Sequence, residues 1–412
     1  MSADASPQPR PNPPKISRSE AAFWRITGPL AFGGFCTFAL LYSVQPLMPV
    51  LAREFAVSPA QASLSLSVTT AVLALAMIGA GAVSEVCGRK RLMVASLAAS
   101  SLAAMLAALA PNWPTLLGSR ALAGLALSGL PAVAMAYLSV EMDAEAIGLA
   151  MGLYIAGSTL GGMSGRLVVA ALSDQFGWRP AIAATGAVGL AGAALIGFAL
   201  PASRRFLPRW PDFAGLAAPM KRHLSDPGLR LLFAEGFLLM GSFVCAYNYI
   251  GFRLTAPPFS LSQTAIGFIF VLYLVDAVSS MVMGDLAGRF GRRRVLWIAI
   301  TIEAAGVAVT LPDNIFAVVA GVGLITWGFF GAHSIASSWV GLRADRGRAQ
   351  AAALYLFFYY VGSSLIGSAG GLFYARGGWP GVAALLAALT GAALILALRL
   401  SKVPPPRHLL NR

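Results

Sequence analysis

The residues of this chain that could do chemistry are few, and they sit in apolar company. Glu235, Asp276 and Glu303 are acids inside long hydrophobic runs, and Arg120 and Arg166 are bases in similar settings. An ionised side chain costs roughly 2.5–3.5 kcal/mol at the centre of a bilayer helix, so each must be neutral, paired or turned to a wet cavity. The same runs carry Tyr42 and Gln45, and the triplet Tyr247-Asn248-Tyr249. Sparse donors, acceptors and ring faces in apolar walls are what a small-molecule site needs. Tyr42, Gln45, Arg120, Arg166, Tyr247 and Asn248 are therefore the candidate substrate contacts, with interhelical hydrogen bonding as the plainer alternative for each. Two arginines could neutralise an anionic group, which brings organic acids and acidic sugars into range beside neutral sugars and amphipathic drugs. His333 reads as a packing residue, although a cavity-facing imidazole could titrate.

Such residues have to be positioned by membrane-spanning helices. The 412 residues are 58% hydrophobic and 11% charged, with a mean hydropathy of +0.74, whereas a soluble domain carries about 25% charged residues. The pattern predicts an all-α integral membrane protein with spans near 27–51, 61–83, 92–111, 115–140, 147–172, 179–200, 230–253, 261–284, 295–312, 315–341, 350–374 and 379–400. Residues 1–25 lack the apolar core of a cleavable leader, so the first span is expected to be retained. They read as a disordered cytoplasmic tail, residues 401–412 as a second tail, and residues 201–229 as a Pro-rich cytoplasmic linker between halves at 26–200 and 230–400. Within the linker, Trp210, Phe213, Leu216 and Met220 could lie on the membrane surface beside Arg209 and Lys221.

The net charge of +14 is not spread as a nucleic-acid binder's would be. Basic residues cluster in alternate connections, among them Arg89, Lys90 and Arg91, then Arg204, Arg205 and Arg209, then Arg292, Arg293 and Arg294. The positive-inside rule then puts both termini in the cytoplasm and requires an even number of spans, which twelve satisfies. Cys36, Cys87 and Cys245 read as plain thiols.

The two halves repeat. Gly81, Gly88 and the triplet Arg89-Lys90-Arg91 match Gly284, Gly291 and Arg292-Arg293-Arg294 in spacing. Tyr154, Gly157, Ser158, Leu160, Gly162 and Gly165 match Tyr359, Gly362, Ser363, Leu365, Gly367 and Gly370, and Gly177-Trp178 matches Gly378-Trp379. Parallel six-helix repeats pack about an axis along the membrane normal, with a site near the midplane between them.

The block from Gly81 to Arg91 resembles the loop between the second and third helices of the major facilitator superfamily, with Glu85 where the family has Asp and Val86 where it has Arg. The resemblance implies a cytoplasmic gate formed by Gly81, Glu85, Gly88, Arg89 and Lys90, repeated in part by Gly284, Gly291, Arg292 and Arg293. Its carboxylate, Glu85 alone, would latch a neighbouring helix N-terminus and break free when the halves rock. Arg120 and Gly124 resemble the family's fourth-helix element. Gly157, Gly161 and Gly165 resemble the fifth-helix glycines of drug antiporters, without the usual Gly-Pro step. With Gln45-Pro46, Arg166 and Tyr247-Asn248-Tyr249, the whole chain after residue 25 is similar to the YnfM-type branch, inner-membrane proteins grouped with sugar and drug exporters.

In the family arrangement spans 1, 4, 7 and 10 line the cavity and 3, 6, 9 and 12 lie outside. The resemblance therefore makes Glu235 the best proton-coupling candidate, Asp276 the second and Glu303 the poorest. It implies a secondary transporter, with no enzymatic activity, working by alternating access in the inner membrane as a proton-coupled exporter. A proton-symport importer, a uniporter or a transporter-like sensor are the alternatives. The partners implied are a small-molecule substrate, protons and lipid, for a monomer without nucleic acid, metal or cofactor. An ATP-driven pump would need a phosphate-binding Gly-x-x-x-x-Gly-Lys loop, which is missing, and His223, His333 and His408 are too scattered for a metal cluster.

Overall fold

A computed structural model describes residues 15–203, 213–345 and 347–404, with the side chains of 81, 82, 213–217 and 401 set aside. The first half runs α1 (Ala21–Tyr42), α2 (Met48–Glu54), α3 (Pro59–Cys87), α4 (Arg89–Ala108), α5 (Trp113–Leu127), α6 (Pro131–Glu141), α7 (Ala146–Phe176) and α8 (Trp178–Ala199). After α9 (Phe213–Ser225) the second half runs α10 (Pro227–Thr255), α11 (Gln263–Ile269), a 3-10 turn (Phe270–Leu274), α12 (Val275–Phe290), α13 (Arg292–Val309), α14 (Ile315–Arg343) and α15 (Arg348–Lys402). α15 is two helices that meet at non-helical Gly377 and Gly378.

Nine stretches of described residues are long and apolar enough to cross a membrane, α15 counted as one of them. Two long helices fall outside that set. One is α1; the other is α13, whose 18 residues include Arg292, Arg293, Arg294 and Glu303. The helix starts have local causes. Ser58 and Gln61 form a capping box at α3, and Asn112, Asp226, Ser262 and Asn314 accept backbone N–H groups at the starts of α5, α10, α11 and α14. Pro49 and Pro131 sit in the first turns of α2 and α6, where no N–H is needed, and follow breaks that interrupt the apolar runs.

The repeat is built into the backbone. Gly88 (φ 91°, ψ 136°) and Gly291 (φ 88°, ψ 138°) make the same one-residue corner, in a region open to glycine and strained for other residues. A Cβ at Gly157 or Gly161 would collide with the carbonyls of Ala31 and Phe35, and one at Gly362 with that of Phe237. So α7 lies directly on α1 and the first part of α15 directly on α10, backbone against backbone.

The tail is ordered earlier than residue 25. Ile16, 2% exposed, bridges to Met142 and exchanges backbone hydrogen bonds with Glu141 and Asp143 at 2.9 and 3.1 Å. In the linker, Phe213–Ser225 forms a helix despite Pro219, and His223 is buried with Nε2 3.0 Å from the Gly347 carbonyl. Arg209 and Trp210 of the expected surface segment lie outside the described residues.

Candidate functional site

Five of the six expected contacts converge where the halves meet. Gln45 lies in the break between α1 and α2, so its side chain leaves a non-helical backbone at membrane depth, which is tolerated only inside protein or along a cavity. Its amide donates to Asn248 Oδ1 at 2.8 Å, and its Oε1 accepts from Arg166 Nε at 2.6 Å. Arg166 also donates to the Gly162 carbonyl at 2.6 Å and to Tyr273 Oη at 3.2 Å. Its guanidinium carbon lies 3.9 Å from the Tyr42 ring centroid, 4.5 Å from Tyr273 and 5.2 Å from Phe270. Tyr247 stacks on Phe270 and shares a hydrogen bond of 2.8 Å with Thr326. The result is one cation in an aromatic box, without a carboxylate in its salt-bridge range among the described residues.

Arg120 is elsewhere, which corrects its assignment as a substrate contact. Fully buried, it donates to the carbonyls of Leu40, Leu41 and Ser65 at 3.3, 2.8 and 3.0 Å, while Thr69 Oγ1 donates to the Arg120 carbonyl at 3.0 Å. The first two carbonyls end α1, where helix geometry leaves acceptors unfilled. Arg120 therefore ties α5 to the α1 terminus and to α3. Gly124 permits this, since a Cβ there would strike the Thr69 carbonyl.

The hydrogen bonds between halves lie at or beyond this site, toward the end remote from the basic loops. Asp174, near the end of α7, accepts from the backbone N–H groups of Gln263 and Thr264 at 3.2 and 2.7 Å and from Thr264 Oγ1 at 2.6 Å, so the first half caps α11 of the second. Ser364 donates to the Ser67 carbonyl at 2.7 Å. Gly371 meets the Ala60 backbone without room for a Cβ.

The opposite end of the bundle carries the gate loops. Glu85 is exposed, and Gly88 turns the chain into Arg89 and Lys90 at the start of α4. In the second copy Asp285 pairs within its own helix with Arg289 at 2.9 Å, next to Gly284, Gly291, Arg292 and Arg293. Gly81 lies in α3. Nearby, Arg343 at the end of α14 grips Asp226 through Nε at 2.6 Å and Nη2 at 3.2 Å. Burial alone would raise the Asp226 carboxyl, but the hydrogen bonds from Arg343 and Leu229 N–H outweigh it and hold it below its ordinary value of 3.8.

The three acids have separate surroundings. Asp276, in the first turn of α12, is part-exposed, accepts from Ser280 at 2.9 Å and lies beside Thr159 of α7. Glu235 and Glu303 are both 0% exposed, and none of their four carboxyl oxygens has a hydrogen-bond partner. Glu303 was expected to be the poorest candidate because α13 was placed outside the cavity-lining set. The helix does lie outside, but this residue's face of it does not: Glu303 packs on Gly328 of α14, where a Cβ would overlap its backbone. Reading the sequence also missed Tyr273, Phe270 and Thr326. Their register relative to Arg166 and Tyr247 was the missing information, and only the interface between halves supplies it.

Two helical halves related by repeated glycine corners, meeting on a polar cluster and closed at one end, define a membrane carrier. The sequence comparisons give the family. The profile of the Major Facilitator Superfamily matches residues 30–263 and 238–412. The chain is 43% identical to the inner membrane transport protein YnfM of Escherichia coli (strain K12), over 94% of this chain and 93% of that one. It is 42% identical to the uncharacterized MFS-type transporter YybF of Bacillus subtilis (strain 168), over 95% and 98%. Among solved structures, the nucleoside transporter NupG superposes with a TM-score of 0.75 at 16% identity, over 92% of this chain and all of that one. This chain belongs to the Major Facilitator Superfamily.

Proposed function

We propose that this protein is a secondary active transporter of the inner membrane that moves a small organic molecule by alternating access, coupled to protons and working in the direction of efflux. The observation that carries the reading is the continuous chain Arg166–Gln45–Asn248, which joins the two halves at the inner limit of their closed end. Rocking the halves apart must break or remake that chain, so a molecule bound there reports directly on the facing state. Tyr42 and Tyr247 supply ring faces, and Gln45 and Asn248 supply amides. Arg166 is the site's cation, since Arg120 is engaged by carbonyls. That favours a substrate with one negative charge and an apolar body over a dianion. Glu235 is the proposed proton carrier. The glycines of α7, resembling those of drug antiporters, support efflux over import.

The test is reconstitution in liposomes with an imposed pH gradient, offering labelled monoanionic organic acids, neutral sugars and amphipathic cations in parallel. Gradient-driven movement of a monoanion, lost in Arg166→Lys, is the expected result. Movement that ignores the gradient would establish a uniporter, and accumulation along the inward proton flow a symporter. Uptake of neutral sugar unaffected by Arg166→Lys would overturn the substrate class.

A further inference from the structure

The unsatisfied acids Glu235 and Glu303 lie buried among α10, α13, α14 and α15. Phe329 of α14 stacks on Phe243 of α10 at 3.9 Å, and the preceding residue, Gly328, admits Glu303. Glu303 therefore sits at the level of Ser242, whose Oγ lies beside it without completing a hydrogen bond. Two turns along α10 is Glu235, within electrostatic reach of Glu303. The ring of Tyr355 from α15 packs on Gly236, next to Glu235, and its hydroxyl lies 2.9 Å from His333 Nδ1. His333 is part-exposed, stacked on Phe329 and in tilted contact with Tyr359, whereas Tyr355 is 2% exposed. The titratable groups facing Glu235 are thus Glu303 from α13, His333 from α14 by way of Tyr355, and Tyr355 from α15. The basic neighbour on its own helix, Arg230, points out to an exposed position.

Two carboxylates in a low-dielectric interior, without a cation or hydrogen-bond donor, cannot both stay ionised, because desolvation and mutual repulsion act in the same direction. We propose that Glu235 and Glu303 form one proton-binding site, loaded from the cavity through His333 and Tyr355. The inference deepens the proton-coupled reading and rests on it, adding a second carboxyl and a route. A proton arriving at His333 Nε2 drives the Nδ1 hydrogen onto Tyr355 Oη, and the hydroxyl's own hydrogen passes to a Glu235 oxygen. Histidine, tyrosine and the receiving carboxyl all end neutral, with the imidazole hydrogen now on the other nitrogen. The tyrosine-to-carboxyl step is unconnected in this facing state, since Glu235 accepts no hydrogen bond. A rotation of Glu235 would close it, which lets conformation gate the transfer.

The site can be tested without a transport substrate. Infrared spectroscopy of the full chain in lipid nanodiscs, over a pH series, follows the C=O stretch of protonated carboxyl groups. The wild type should show a buried carboxyl band that titrates, Glu235→Gln and Glu303→Gln should each change its titration, and the double variant should abolish it. Tyr355→Phe keeps the ring on Gly236 and should leave the band but slow its response to a pH jump by roughly a hundredfold, the low end of a positioned proton-transfer group's contribution. Glu303→Asp, with monodispersity checked by size exclusion, separates loss of the site from loss of the fold, because it should keep a titrating band. A titration in Glu303→Gln superimposable on wild type would overturn the pair, and an unchanged rate in Tyr355→Phe would overturn the route. Displacement of the band by sodium would replace the proton with a metal cation and overturn the proposal. A normal band in a protein whose transport ignores the pH gradient would instead count against the coupled-transport reading alone.

Discussion

Arg166 and Gln45 are held together at 2.6 Å, Nε donating to Oε1, by two segments of the same half, yet the amide of Gln45 spends its other bond on Asn248 of the opposite half. Gln45 is 2% exposed and both of its side-chain functions are engaged. Replacing it with leucine strands a buried guanidinium N–H and a buried amide oxygen, each costing about 1–3 kcal/mol. Gln45→Leu is therefore expected to lower the thermal midpoint and abolish transport. The cycle with Asn248→Ala should be non-additive by about 0.5–3 kcal/mol, as for residues in one network. Additive effects in thermal unfolding would show that the two side chains do not act as a unit.

Arg120 and Arg166 look alike in sequence and should fail in different ways. Arg120→Lys retains the charge but cannot place a planar fork on three carbonyls. It should reduce folded yield and thermal stability, by about 2–4 kcal/mol for acceptors left unmet in a buried site, while any protein that folds binds substrate normally. Arg166→Lys loses the fork on Gln45, the Gly162 carbonyl and Tyr273 and should also melt lower, by about 1–3 kcal/mol, but here the protein that folds should have lost substrate binding and transport. Paired melting and binding measurements on the two variants check this, and loss of affinity in well-folded Arg120→Lys would return Arg120 to the site.

Gly161 tests the backbone contact between α7 and α1. A Cβ at Gly161 would meet the Phe35 carbonyl and the Phe35 main chain around it, so no side chain can yield to relieve the overlap. Gly161→Ala should separate α7 from α1 and destabilise by about 1–3 kcal/mol, the range for overpacking. Gly148→Ala, on the same helix with open space at its Cβ, is the control and should stabilise or leave unchanged. Equal melting temperatures for the two variants would count against the close contact.

How much of this could be read from the sequence follows from what each residue type can and cannot signal. A polar residue in an apolar run is visible, so Gln45, Arg166, Tyr247 and Asn248 stand out as candidates, and glycines that repeat in register expose the two halves. The partner of a polar residue is not visible. Arg120 therefore looked like a second substrate cation, although the end of α1 supplies its acceptors. Tyr273 and Phe270 are ordinary aromatics until the 3-10 turn aims them at Arg166. Glu303 was set aside by the position of its helix, when the deciding quantity was the face on which it lies. Asp174, close to the end of a span, gave no hint that its acceptors would serve another helix of the other half.

Asp226 gives the fold a defined response to acid. Its folded value lies below the ordinary 3.8, so the stabilisation from its ties to Arg343 and Leu229 is fully present above that value. It is lost as pH falls through the depressed folded value. Asp226→Ala should cost about 2–3 kcal/mol at neutral pH, from a lost helix cap and an Arg343 left without its carboxylate. Asp226→Asn keeps the cap and should cost less. Melting curves should show the wild-type advantage constant from neutral to mildly acidic buffer and vanishing in strong acid. An advantage that grows on acidification would mean the carboxyl is not held down by Arg343.

Asp174 should govern the balance between facing states, because its three accepted hydrogen bonds exist only while α7 and α11 are together. Opening this end exposes the first N–H groups of α11, of which Ser262 still serves Ala265 alone. The carboxylate is largely exposed, so its net contribution is set at about 1.4 kcal/mol, below the usual range for a charge-assisted bond and equal to roughly a tenfold change in the ratio of open to closed. Asp174→Ala should move the population by that factor toward the form open at this end, and Asp174→Asn, which keeps one acceptor oxygen, by less. Spin labels at Gln175→Cys and Ser260→Cys can read it in a Cys87→Ser background, since Cys36 and Cys245 are buried and Cys87 is exposed. A longer-distance component should appear in Asp174→Ala. If the distance distribution is the same with and without the carboxylate, the contact is a consequence of closure and contributes nothing to it.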